Sequence, residues 1–174
     1  MKKSSMVIAL SIAAAFAAAP AMAQSTLVKF DGGIGVIPVS SGVIAPGTQP
    51  LQSEQVNRNF VRGVPPPGQI WVIRELKAEV KDDGRIRVDG RGLLLGGGNA
   101  IAGNANASVF ATLICEAVAP FTLRSTTLTG VPLDPDGDFK IDDVLTPVAT
   151  ECASPVLLIR NVAGAWFAAG IPRR

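Results

Sequence analysis

The chain contains no histidine and no tyrosine. Without an imidazole there is no Ser-His-Asp or Cys-His relay and no His zinc ligand, and without a phenol there is no Tyr acid or base. Aromatic side chains make up only 5% of the chain, too few for the two aromatic girdles of an outer-membrane barrel. The longest apolar run, residues 6–19, falls short of the roughly 20 residues a helix needs to cross a bilayer. Lys2 and Lys3 precede that run and the small-residue site Ala21-Met22-Ala23 follows it. This pattern predicts a secretory signal over 1–23, cleaved after Ala23. Once the two lysines leave, basic and acidic side chains are equal in number. A chain with no charge excess has no electrostatic reason to bind nucleic acid or an anionic membrane.

Residues 24–174 are long enough for one domain that buries roughly 70% of the surface its unfolded chain exposes. The expected address is periplasmic or secreted, with no membrane insertion and no cofactor. Export explains the cysteine usage. Cys115 and Cys152 are the only two, and an even count in an oxidising compartment predicts a disulfide between them. A redox pair would instead sit close in sequence as C-x-x-C. The short, Ala-rich signal ending in A-x-A suggests a bacterial source, in which the glycosylation sequon Asn106-Ala107-Ser108 carries no meaning.

Beyond residue 23 no sustained helical period occurs. Short runs of Val, Ile, Leu, Thr and Phe alternate with Gly, Pro, Asp and Asn, the signature of an all-β domain. Strands are expected near 27–30 and 34–39, followed by a Pro/Gly/Ser-rich loop over 40–69 that contains Pro65-Pro66-Pro67. In 75–81 and 85–89 apolar and charged residues alternate. A three-residue loop Asp82-Asp83-Gly84 pairs Val80 with Ile86 and Ala78 with Val88 on a buried face. It sets Glu79 against Arg87, Lys77 against Asp89 and Glu75 against Arg91 on the other. Residues 71–73 and 93–95 are apolar at every position, which predicts burial on both sides of that end. A second three-residue loop, Pro135-Asp136-Gly137, pairs Leu133 with Phe139 and Val131 with Ile141. Further strands are expected over 107–115, 121–129, 155–160 and 165–170. About eight or nine strands at hairpin spacing predict an antiparallel two-sheet β-sandwich.

The phrases GRGLLLGGG at 90–98, SVFATLIC at 108–115, GDFKIDDVL at 137–145 and PVLLIRN with GAWFAAGIP near the C-terminus resemble a group of small exported bacterial all-β proteins with no assigned activity. The resemblance implies an exported β domain and adds no site.

Five features invite a chemical reading. Asp134, Asp136 and Asp138 have the D-x-D-x-D spacing that opens a calcium loop, and Ile141 falls at its central apolar position. However, Phe139 stands where the sharp turn needs Gly and Leu145 where a bidentate Glu should close the shell. The bland account is turn chemistry. Gly90-Arg91-Gly92 and Gly96-Gly97-Gly98 satisfy no phosphate-loop pattern and no amphipathic helix follows them. Arg85, Arg87 and Arg91 could form a basic patch, but a solvated, charge-paired face is expected, with carboxylate partners for Arg87 and Arg91. Asp142, Asp143, Glu116 and Glu151 are the carboxylates a glycosidase would draw on, yet adjacent strand residues such as Asp142 and Asp143 point to opposite faces. Trp71 and Trp166 would serve as a sugar platform if exposed and as core if buried. The balance favours a non-enzymatic structural or interaction protein with an envelope or extracellular protein partner. A carbohydrate- or calcium-binding module is the alternative, and a carboxylate-dependent hydrolase is third.

Overall fold

The computed structural model describes residues 24–37 and 59–173. The expected signal at 1–23, residues 38–39 of the second expected strand and residues 40–58 of the long loop lie outside the described residues. Every regular element among the described residues is a β-strand. In chain order they are β1 (Thr26–Gly35), β2 (Trp71–Val72), β3 (Glu75–Lys81), β4 (Arg85–Arg91), β5 (Leu94–Leu95), β6 (Ser108–Ile114), β7 (Arg124–Ser125), β8 (Val131–Pro132), β9 (Phe139–Val144), β10 (Val156–Asn161) and β11 (Trp166–Pro172).

The first hairpin follows the expected register in every pair, from Val80 with Ile86 to Glu75 with Arg91. Its turn closes with Gly84 N–H donating to Lys81 C=O at 3.0 Å. Gly84 has φ +86°, the left-handed conformation that a three-residue loop requires and that glycine adopts without steric cost. The same turn recurs at Val162-Ala163-Gly164, where Gly164 N–H bonds Asn161 C=O at 2.8 Å and joins β10 to β11. No Asp-Gly pair flags that turn in the sequence.

Strand β1 merges the two strands expected at 27–30 and 34–39, with an irregularity between Phe30 and Gly33 where it pairs with β11. The strand expected over 121–129 shrinks to the two residues of β7. The end of the first hairpin is buried on one side only: Trp71, Leu93 and Leu95 are buried, whereas Val72 is exposed. Its side chain instead lies over Gly96, within 2.9 Å of where a Cβ would stand.

The second hairpin departs from expectation just past its turn. Gly137 N–H bonds Asp134 C=O at 2.8 Å and Asp134 N–H bonds Asp138 C=O at 2.9 Å, so the three-residue loop is present. The next hydrogen-bonded pair would join residue 132 to Lys140, and residue 132 is proline. Lacking an N–H, Pro132 cannot extend the ladder. β8 pairs with β6 and β9 with β4.

Hydrogen-bonded neighbours run β7-β6-β10-β11-β1-β3-β4-β9, with β8 also on β6, and β2 with β5 forms a separate ribbon. Ser125 and Thr146 then exchange two backbone bonds of 3.0 and 2.9 Å, which brings the two ends of that path together. The result is one nearly closed antiparallel sheet with a small second sheet. The two-sheet sandwich expected from strand spacing is not confirmed, because spacing reports strand length and does not say whether the last strand meets the first.

The core lies inside this sheet. Leu76, Val80, Ile86, Leu113, Leu157 and Ile159 are fully buried. Trp71 stacks on Phe167 with ring centroids 3.9 Å apart. On the β6-β10 side a disulfide joins Cys115, just past β6, to Cys152, ahead of β10, with Cα atoms 4.5 Å apart. The loop over 59–70 is tied to this side as well: Arg62 donates to the C=O groups of Ile114 and Ser154 at 3.1 and 2.6 Å.

Candidate functional site: a charged lattice on the outer face

Alternation along β1, β3, β4 and β9 sends every second side chain outward, and in this stretch the outward residues are charged. The pairing registers place them in two rows across the four strands. One row reads Lys29, Glu79, Arg87, Asp142; the next reads Asp31, Lys77, Asp89, Lys140. Signs run plus, minus, plus, minus in the first row and the reverse in the second. Each charge therefore has an opposite charge beside it on the neighbouring strand and another two residues along its own strand. Together these side chains line an open concavity of about 480 Å³. Arg173 borders it at the β1 flank, its N–H bonded to Lys29 C=O at 2.8 Å.

The ion pairs within the lattice correct one expectation. Arg87 pairs with Asp142 at 3.0 Å and Arg91 with Asp89 at 3.4 Å, and Lys77 takes Glu75 at 2.7 Å. The expected partners Glu79, Glu75 and Asp89 do stand opposite in register. However, Lys77 and Arg91 take the carboxylate two residues along their own strand, and Arg87 takes Asp142 on β9, a neighbour that the hairpin alone does not reveal. Arg85 pairs with Asp83 in the turn at 2.9 Å. Glu79 accepts from Lys81 at 2.8 Å and from Thr26 at 2.7 Å. The Lys81 bond, then the Thr26 bond, hold its carboxyl down at about 2.

The other singled-out residues do not meet at one place. In the Asp134/Asp136/Asp138 turn two carboxylates have donors: Asp138 accepts from Gly92 N–H at 2.9 Å and lies 3.6 Å from the Arg74 guanidinium, while Asp136 accepts from Asp138 N–H at 3.3 Å. An arginine and a backbone donor thus relieve the like-charge opposition of Asp134 and Asp138. No group of three or more metal-ligating side chains occurs among the described residues.

Asp143 accepts from the N–H groups of Thr127 and Val144 at 2.8 and 2.7 Å, and the Thr127 bond leads in lowering its carboxyl. Glu116 pairs with Arg124 at 2.8 Å. That bond foremost brings its carboxyl to about 2. A glycosidase acid needs the opposite shift, upward. Glu151 is exposed on the loop before Cys152. Gly90 supports packing: a Cβ there would stand 2.1 Å from the Phe139 ring. Gly96, Gly97 and Gly98 sit in the loop after β5. Trp71 and Trp166 are each 3% exposed, and Trp166 Nε1 donates to Asn59 C=O at 2.9 Å, so neither offers a face to a sugar.

Half of the lattice, the β3–β4 half, is legible in the sequence. The pairings of β1 with β3 and of β4 with β9 are not, because nothing local encodes them. The signal that remained was the alternation of sign at Lys29/Asp31 and Lys140/Asp142, legible only once those strands are known to be neighbours. No family model, curated protein or solved structure matches the chain.

Proposed function

We propose that this is an exported, non-enzymatic structural or interaction protein that meets its partner through the charged outer face of β1, β3, β4 and β9. The observation that carries this reading is the eight-residue lattice of alternating charge. A solvated face needs only polarity, whereas sign alternation maintained across four strands from three separate parts of the chain supplies a pattern that a partner can read. Outward charge at these positions also suits an aqueous setting, since a lipid-facing barrel presents apolar residues there. The ionised, engaged state of Glu116 and Asp143 supports a non-enzymatic role over acid catalysis.

The test is site-specific crosslinking in the producing cell. The full chain carries a photo-reactive residue at Lys77 or Arg87, and a control carries it at Val162 in the β10–β11 turn. Adducts at the lattice positions and none at the control support the reading. No adduct at either lattice position, in protein shown to hold its disulfide, would overturn it.

A further inference from the structure

Resting on that reading, we infer that the partner of the charged face is a second copy of this chain, docked face to face about a two-fold axis that runs between β3 and β4, parallel to the strands. The register makes this arrangement charge-complementary. Such an axis lays β1 over β9 of the second copy and β3 over its β4, keeping each row on itself. Lys29 then meets Asp142 of the second copy, Glu79 meets Arg87, Asp31 meets Lys140 and Lys77 meets Asp89. All eight positions face the opposite sign, and each contact occurs twice, as an isologous interface requires.

This happens because the lattice has an even number of columns and alternates strictly. With Arg173 the concavity carries five positive and four negative side chains, a near balance that gives a polyanion or a polycation little net attraction, while a copy of the lattice gains at all eight lattice positions. Each flank contact includes one lysine, Lys29 or Lys140, and both are well exposed, with side-chain exposures of 52% and 82%.

Exposed ion pairs are individually weak and screened by salt, so the dimer belongs to low ionic strength and high protein concentration. Sedimentation velocity on the secreted, disulfide-bonded protein should show dimer at about 0.1 mM protein in about 20 mM salt and monomer at about 0.5 M salt. Asp31→Lys alone and Lys140→Asp alone should each be monomeric at low salt, because residues 31 and 140 then repel across the axis twice. An equimolar mixture of the two should recover a heterodimer, since both of its 31–140 contacts become attractive. A melting temperature for each variant checks folding, with Asp31→Asn and Lys140→Gln, expected to weaken association at least several-fold, as substitutes if a reversal fails to fold.

Wild type that stays monomeric at low salt overturns the inference, as do single variants that associate like wild type. A mixture that fails to recover overturns the axis proposed. The two-fold axis perpendicular to the strands would instead pair residue 31 with residue 29 and residue 140 with residue 142, which the mixture cannot restore. If wild type is monomeric while Lys77 still crosslinks a different macromolecule in the cell, self-docking falls and the interaction face stands.

Discussion

Gly90 and Phe139 face each other across β4 and β9, and the ring occupies the volume a Cβ would need. In an ordinary strand, Gly→Ala helps by roughly 0.5 to 1 kcal/mol. Here overpacking outweighs that gain, so Gly90→Ala should destabilise by about 1 to 3 kcal/mol, and adding Phe139→Leu should return part of the loss. Urea unfolding midpoints decide it; a neutral or stabilising Gly90→Ala means the ring does not sit against Gly90. Glu116 and Glu79 make the acid limb of stability. Both carboxyls are lowered from 4.5 to about 2, by Arg124 and by Lys81 respectively as the leading cause. A lowered folded value contributes stability that is complete above the unfolded value and disappears as pH falls through the folded one. The melting temperature should therefore fall between about pH 4.5 and pH 2. Glu116→Gln should flatten part of that fall, and an unchanged slope would show that Arg124 does not hold the carboxylate.

At the scale of strands, β9 has two different edges. Leu145 N–H bonds Gly84 C=O on the β4 side, and Thr146 N–H bonds Ser125 C=O on the other. Backbone groups alternate along an antiparallel strand, so Phe139, Ile141 and Asp143 direct theirs to β4. Lys140 and Asp142 direct theirs to the seam between β9 and β8, where Pro132 stops the ladder. Amide exchange should follow that parity: slow at Phe139 and Ile141, fast at Lys140 and Asp142. Uniform protection would mean the seam is zipped. On β3 the two faces differ in the same way. Val80 is fully buried and Glu79 faces solvent, so Val80→Asp should cost about 2 to 4 kcal/mol, while Glu79→Ala, which removes a solvent-screened ion pair, should shift the unfolding midpoint much less. Equal shifts would contradict the assigned faces.

For the whole molecule the nearly closed sheet is held at its seam by few bonds, among them those of Ser125 with Thr146, of Asp134 with Asp138 and of Thr127 N–H with the Asp143 carboxylate. The disulfide lies one strand away from that seam, between the ends of β6 and β10, and closes a loop of 37 residues. Cross-linking a loop of that length removes unfolded-state entropy worth about 3 to 4 kcal/mol. The Cys115→Ser, Cys152→Ser protein should unfold at correspondingly lower urea. Intact mass of the wild type, without reductant, should be two hydrogens below the dithiol value; two thiols that alkylate freely would refute the bridge.

What the sequence by itself determined is whatever depends on neighbours within a hairpin. Alternation in 75–81 and 85–89 together with Asp82-Asp83-Gly84 specified the register of β3 and β4, because a one-residue slip would turn Val80 and Ile86 to water. Two cysteines in a chain with an export signature specified their own pairing. The turn at Pro135-Asp136-Gly137 was legible too, but the same segment carried Pro132, whose missing N–H undid the hairpin and freed β9 to join β4. Only the tertiary structure decided that β1 lies on β3, that β9 lies on β4 and that Ser125 returns to Thr146. The first two pairings join segments dozens of residues apart, and their energy comes from burying Phe30, Val88 and Ile141 on a shared inner face, which alternation announces without naming the neighbour. The charge lattice is the outward side of those same pairings. Its signs are written in the sequence, and their order was decided when the strands met.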